Sequence, residues 1–150
     1  MNATSIKHGV YGGLTGGVVF GAMMAMMGML PMIGNMVGIP SAWVGLFVHL
    51  GISAAIGGSF AVLLDAGGWR GGVASGLAYG FAWWMLGPLT LMPAFMGMGL
   101  GVNWNLAAMG QAMPSLLGHL IFGAVLGVTY RWLRAPACAA CVQRGETQAA

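Results

Sequence analysis

Residues 12–30 read GGLTGGVVFGAMMAMMGML, and residues 71–89 read GGVASGLAYGFAWWMLGPL. The two align at an offset of 59. A second pair follows: LFVHLGISAAIGGSF (46–60) aligns with LLGHLIFGAVLGVTY (116–130) at an offset of 70. Each half of the chain thus carries a Gly-rich apolar stretch followed by a His-centred one. The order is the same in both halves, which is the signature of a parallel repeat of two helical hairpins. The offsets differ because the second half has a longer connection.

Hydrophobic residues make up 59% of the chain and charged residues 5%. A soluble domain carries about 25% charged residues, so too little charge is present to cover a water-facing surface. The class is an integral membrane protein. A net charge of +3, dispersed along the chain, excludes a nucleic-acid-binding surface.

Four stretches are long enough to cross a hydrocarbon core of ~30 Å, at about 9–30, 41–64, 69–91 and 112–133. The expected fold is all-α, a four-transmembrane-helix bundle built from two parallel helical-hairpin repeats (about 9–64 and 69–133). The membrane domain covers 1–134 and a short tail covers 135–150. The first apolar stretch is too long for a signal h-region and lacks an A-x-A-like cleavage site, so it reads as an uncleaved first helix. Lys7, Arg70, Arg131, Arg134 and Arg144 all fall on one side of this topology, and the first and third connections carry no charge. The positive-inside rule then places both termini in the cytoplasm, and the protein is expected in a prokaryotic inner (plasma) membrane. Glycines four apart (Gly13, Gly17, Gly21; Gly72, Gly76, Gly80; Gly123, Gly127) mark faces where helix backbones approach closely in lipid.

Apart from Met1, every methionine lies in 23–36 or 85–113, in the outer regions of this topology. Four pairs are spaced M-x-x-x-M: Met23/Met27, Met32/Met36, Met92/Met96 and Met109/Met113. Residues four apart share a helix face, so two thioethers can address one ion, and this soft ligand selects Cu(I). The alternative is packing, because the flexible Met side chain fills irregular gaps. His49 and His119 occupy matching repeat positions inside predicted spans, where an ionisable side chain is costly and normally faces the bundle interior. Ser53 and Ser115, four residues away on the same faces, are candidates to orient the rings. Cys138 and Cys141 form a C-x-x-C in the tail, suited to a soft metal or to redox work, with an inert or palmitoylated tail as the alternative. Trp83 and Trp84 are deep enough to pack on whatever fills the centre, and Asp65 and Arg70 flank the inner turn as a possible pair. With two acidic residues in the chain and no catalytic motif, general acid–base chemistry has almost no participants. An enzyme is not expected.

The segment LMPAFMGMGLG followed by PSLLGHLIFGAVLGVTY resembles a family of small, four-span, Met- and His-rich membrane proteins of bacteria and archaea. The most specific segment is residues 118–130. The resemblance covers nearly all of the chain and implies the four-helix fold and the interest of His119, without an activity. Methionine pairs outside with thiols inside also resemble the ligand logic of copper importers of the Ctr type, although those have three spans and no such repeat.

The leading expectation is a copper(I)-handling membrane protein, for binding or transport. Its metal ligands would be Met23, Met27, Met32, Met36, Met92, Met96, Met109, Met113, His49 and His119, with Cys138 and Cys141 receiving the ion inside. The alternatives are a haem-b protein with His49 and His119 as axial ligands, or a purely structural accessory subunit of a respiratory membrane complex. Beyond the lipid bilayer, the expected partners are other subunits of such a complex or further copies of the chain, and not nucleic acid.

Overall fold

The structure is a computed structural model that describes residues 3–67 and 71–148, with side chains except at 65, 66 and 136–148. It is all-helical, with no strand among the described residues. Helix α1 spans Ala3–Met26, α2 Leu30–Asn35, α3 Ala42–Gly67, α4 Val73–Leu86, α5 Met92–Phe95, α6 Leu106–Gln111 and α7 Met113–Gln148. A π-helical turn, Gly87–Leu91, joins α4 to α5 without a break.

Among the described residues, three helices are long and apolar enough to cross a membrane: Ala3–Met26, Ala42–Leu64 and Met113–Ala135. They correspond to three of the four expected spans, with α1 both starting six residues earlier and ending four residues earlier than expected. Ser5, Lys7 and His8 are polar, but nothing in Ala3–Gly9 breaks a helix. The third expected span is a composite: 14 residues of α4, then the π-turn, then α5. Pro88 causes the change of winding. It has no N–H to donate to the carbonyl four residues back, and its ring obstructs a regular turn.

Glycine sets which helices meet. On the α1–α3 seam Gly13 lies against Gly57, Gly17 against Ser53 and Gly21 against His49. On the α4–α7 seam the pairs are Gly72 with Gly127, Gly76 with Gly123 and Gly80 with His119. A Cβ at Gly76 or Gly123 would overlap the backbone of the facing helix, so these seams are in backbone contact. Between the pairs, α1 packs on α7 through Gly12 on Leu126, Gly16 on Phe122 and Phe20 on Gly118, and Thr15 donates to Thr129 at 3.3 Å. The core they enclose includes Phe20, Phe60, Phe122, Leu126 and Tyr130.

The fourth seam, α3 with α4, is thin. Tyr79 Oη donates to the Ile56 carbonyl at 3.0 Å and meets Ser59 Oγ at 2.7 Å, and its ring packs on Phe60. Toward α2 and the π-turn this seam gapes. There α2 folds back over the start of α3, with Leu30 buried and its carbonyl against Gly45.

Candidate functional site

The gap is a cavity of about 340 Å³, within the ordinary size range of small-ligand sites, ~300–1,000 Å³. Its walls come from α1, α2, α3, α7 and the run from α4 through the π-turn to α5. Met23 and Met24 project from α1, Met27 and Met29 from the turn after it, Met32 and Met36 from the α2 region, and Met92 from α5. His49 and Ser53 face it from α3, and Ser115 and His119 from α7. Phe20, Phe122, Trp83, Ile52, Ile56, Leu91 and Phe95 are also in the lining, with Ile33, Gly87, Pro88 and Pro114. Seven thioethers and two imidazoles therefore share one apolar chamber with no carboxylate in its wall.

Each histidine is held by a backbone carbonyl. The His49 Nε2–H donates to the Gly17 carbonyl at 3.0 Å, across the α1–α3 seam. The Nδ1–H of His119 donates to the carbonyl of Ser115 at 2.8 Å and lies 3.3 Å from its Oγ. A carbonyl only accepts, so these bonds set the tautomers. In the neutral rings the lone pairs then lie on Nδ1 of His49 and on Nε2 of His119. Metal-ligating histidines are typically oriented this way, with one ring N–H on a carbonyl and the other nitrogen open. The Phe20 ring packs edge-on against both imidazoles, at centroid distances of 5.4 Å to His49 and 4.9 Å to His119.

Of the four methionine pairs, Met23/Met27 and Met32/Met36 enter the cavity whole, whereas Met92 enters without Met96. Met96 and Met113 are exposed and Met109 is half-buried; none of the three lines the cavity. Ser115 orients His119 as its spacing suggests, mainly through its carbonyl. The orienting group of His49 is the Gly17 carbonyl instead of Ser53. Trp83 lines the chamber, and Trp84 is buried with its Nε1–H on the Ala112 carbonyl at 3.1 Å. Met24, Met29 and Phe20 were missed as site residues, although all three lie in the repeated 12–30 segment. Among the described residues no three His, Cys, Asp or Glu side chains gather to hold a metal, so any metal site here depends on sulfur from methionine. Cys138 and Cys141 fall where side chains lie outside the described residues, as do Asp65 and Arg70.

No protein-family model, curated protein or solved structure matches this chain.

Proposed function

We propose that this chain is a copper(I)-binding integral membrane protein, acting in Cu(I) storage or passage, and that the methionine–histidine cavity is its binding site. The observation that supports this most is the chemistry of the wall: seven thioethers and two oriented imidazoles with no hard oxygen anion, a donor set that selects Cu(I) among biological metals. On this reading the composite α4–α5 run is a fourth span. The chain is then two like-oriented hairpins, and the seam pairs of one half recur in the other at the offsets 59 and 70. Both termini face the cytoplasm, and the exposed Met96, Met98 and Met113 lie on the outer side, where an incoming ion arrives first. The resemblance to small four-span Met- and His-rich proteins belongs to the same reading.

The rival is haem b held by His49 and His119, in a subunit of a respiratory complex. It requires both open nitrogens on one iron across a flat macrocycle. Phe20, packed against both rings, would have to leave first, which favours copper.

The test uses protein purified in mild detergent, with copper quantified by elemental mass spectrometry and a visible spectrum taken on the same sample. Near-stoichiometric copper is expected, with no Soret band. Replacing Met23, Met27, Met32 and Met36 together by Leu conserves volume at less than ~1.5 kcal/mol per site and is expected to weaken Cu(I) binding tenfold or more against a competing chelator. A Soret band lost in His49→Ala or His119→Ala would establish haem instead. Neither signal after copper loading would leave a structural subunit.

A further inference from the structure

We infer that Gly87, at the head of the π-helical turn, is the positioning residue that keeps the Nε2 lone pair of His119 open to the cavity. The space beside that nitrogen stays free because residue 87 has no side chain.

The geometry begins with His119. Its Nδ1–H is spent on the Ser115 carbonyl, so Nε2 is the nitrogen left to take a ligand. A Cβ built on Gly87 would lie 3.7 Å from Nε2, with no other heavy atom within 4 Å outside its own stretch of helix. Nε2 is thus the atom that a side chain at residue 87 would meet first. A metal bound to an imidazole sits ~2.0 Å from its nitrogen, so a methyl group in contact with Nε2 takes up space beside that position, and the branches of Val take up more.

The turn is built to hold this position. Pro88 forbids a regular α-turn, the Met92 N–H closes the wider ring onto the Gly87 carbonyl, and Thr90 Oγ1 donates to the Met85 carbonyl at 2.9 Å. Two hydrogen bonds thus hold the irregular turn, and such π-turns are frequent at functional sites. The first half of the chain supplies a second argument. At the offset of 59, Gly87 corresponds to Gly28, where α1 has just ended and the backbone turns with φ +67°. Both halves depart from regular α-helix at the same place, one by a turn and the other by a π-turn, and of the residues next to these two glycines Met27, Met29 and Pro88 line the cavity. Binding sites between repeats are commonly made from helices broken in corresponding positions.

That the ligand is Cu(I) rests on the function proposed above, whereas access to Nε2 does not. Both are read in one experiment on the full-length protein in detergent. Without metal, diethylpyrocarbonate labelling is quantified at each histidine by mass spectrometry; with metal, Cu(I) affinity is measured by chelator competition. Gly87→Ala and Gly87→Val are compared with the wild type and with Gly51→Ala, a position open to solvent or lipid. The expected result is labelling of His119 reduced severalfold by Ala and further by Val, with Cu(I) affinity lowered about tenfold or more, and neither changed in Gly51→Ala. Unchanged labelling of His119 overturns the inference whatever the copper result. Reduced labelling with unchanged copper affinity upholds the role of Gly87 and removes His119 from the copper site. Ala is the smaller step, at an ordinary van der Waals distance, so it carries the test if Val does not fold.

Discussion

The α1–α7 seam and the α3–α4 seam would be equivalent in a bundle of two identical hairpins, yet one is closed and the other holds the cavity. Phe20 and Tyr79 lie 59 residues apart, at aligned positions of the stretches 12–30 and 71–89. Phe20 drops into the space left by Gly118 and fills the first seam. Tyr79 instead turns to Ile56 and Ser59, toward the end remote from α2, and leaves the second seam open beyond it. One helix pair is joined by an aromatic ring on a glycine, the other by a hydroxyl on a carbonyl. The cavity exists because the two seams are filled differently at this position, within a scaffold of glycine contacts that both helix pairs have.

That scaffold is where substitution costs most. Gly123→Leu places a branched side chain where Gly76 and Gly80 leave no space, and it must push the facing backbones apart along the whole α4–α7 seam. In lipid, where close packing drives helix association, the loss is expected to reach or exceed ~3 kcal/mol. Size-exclusion profiles and SDS titration should show little folded monomer. A variant as stable as wild type would mean that the seams are not in backbone contact. The second effect is Phe20→Ala. A void of about 100 Å³ at ~24 cal/mol per Å³ gives roughly 2 kcal/mol, read by the same titration. This change also frees the space between the imidazoles. If haem binding appears in Phe20→Ala and not in wild type, the ring is what keeps the two histidines apart.

How far the sequence reveals all this depends on the interaction involved. Backbone contact in lipid requires small residues at a spacing of four, so Gly13, Gly17, Gly72, Gly76 and Gly123 announce the seams directly. His49 and His119 announce the interior because lipid excludes them, and both do line one cavity. The methionines are only half legible. Spacing puts Met92 and Met96 on one face, but α5 ends at Phe95, so the face is not continued. The 96–105 connection likewise separates Met109 and Met113 from the rest. Met24 and Met29 belong to no M-x-x-x-M pair and enter by virtue of where α1 stops. Pro88 signals an irregularity, whereas its resolution as a π-turn depends on Thr90 and on the room beside His119, which are tertiary facts. No spacing rule could have pointed to the Gly17 carbonyl, since any residue provides one.

The smallest expected effect is the most specific to the open seam. Tyr79→Phe removes the hydroxyl that ties α4 to α3 and keeps the ring on Phe60 at 5.0 Å. Ser59 Oγ still donates to the Ile56 carbonyl at 2.9 Å, so no buried group loses its last partner, and the penalty of an orphaned polar atom is avoided. Hydrogen bonds between membrane helices average ~0.6 kcal/mol and reach about 1.7, and Tyr79→Phe should fall at the lower end in an SDS titration. The consequence for the cavity is kinetic. With its polar tie gone, the α3–α4 seam opens more readily, so if the proposed copper(I) site is right, the bound ion should exchange with a chelator faster while its affinity stays within about twofold, a change of roughly 0.4 kcal/mol. A stability loss as large as that of Phe20→Ala would show that the two seams are held alike after all. The asymmetry between Phe20 and Tyr79 would then be a difference of shape and not of strength.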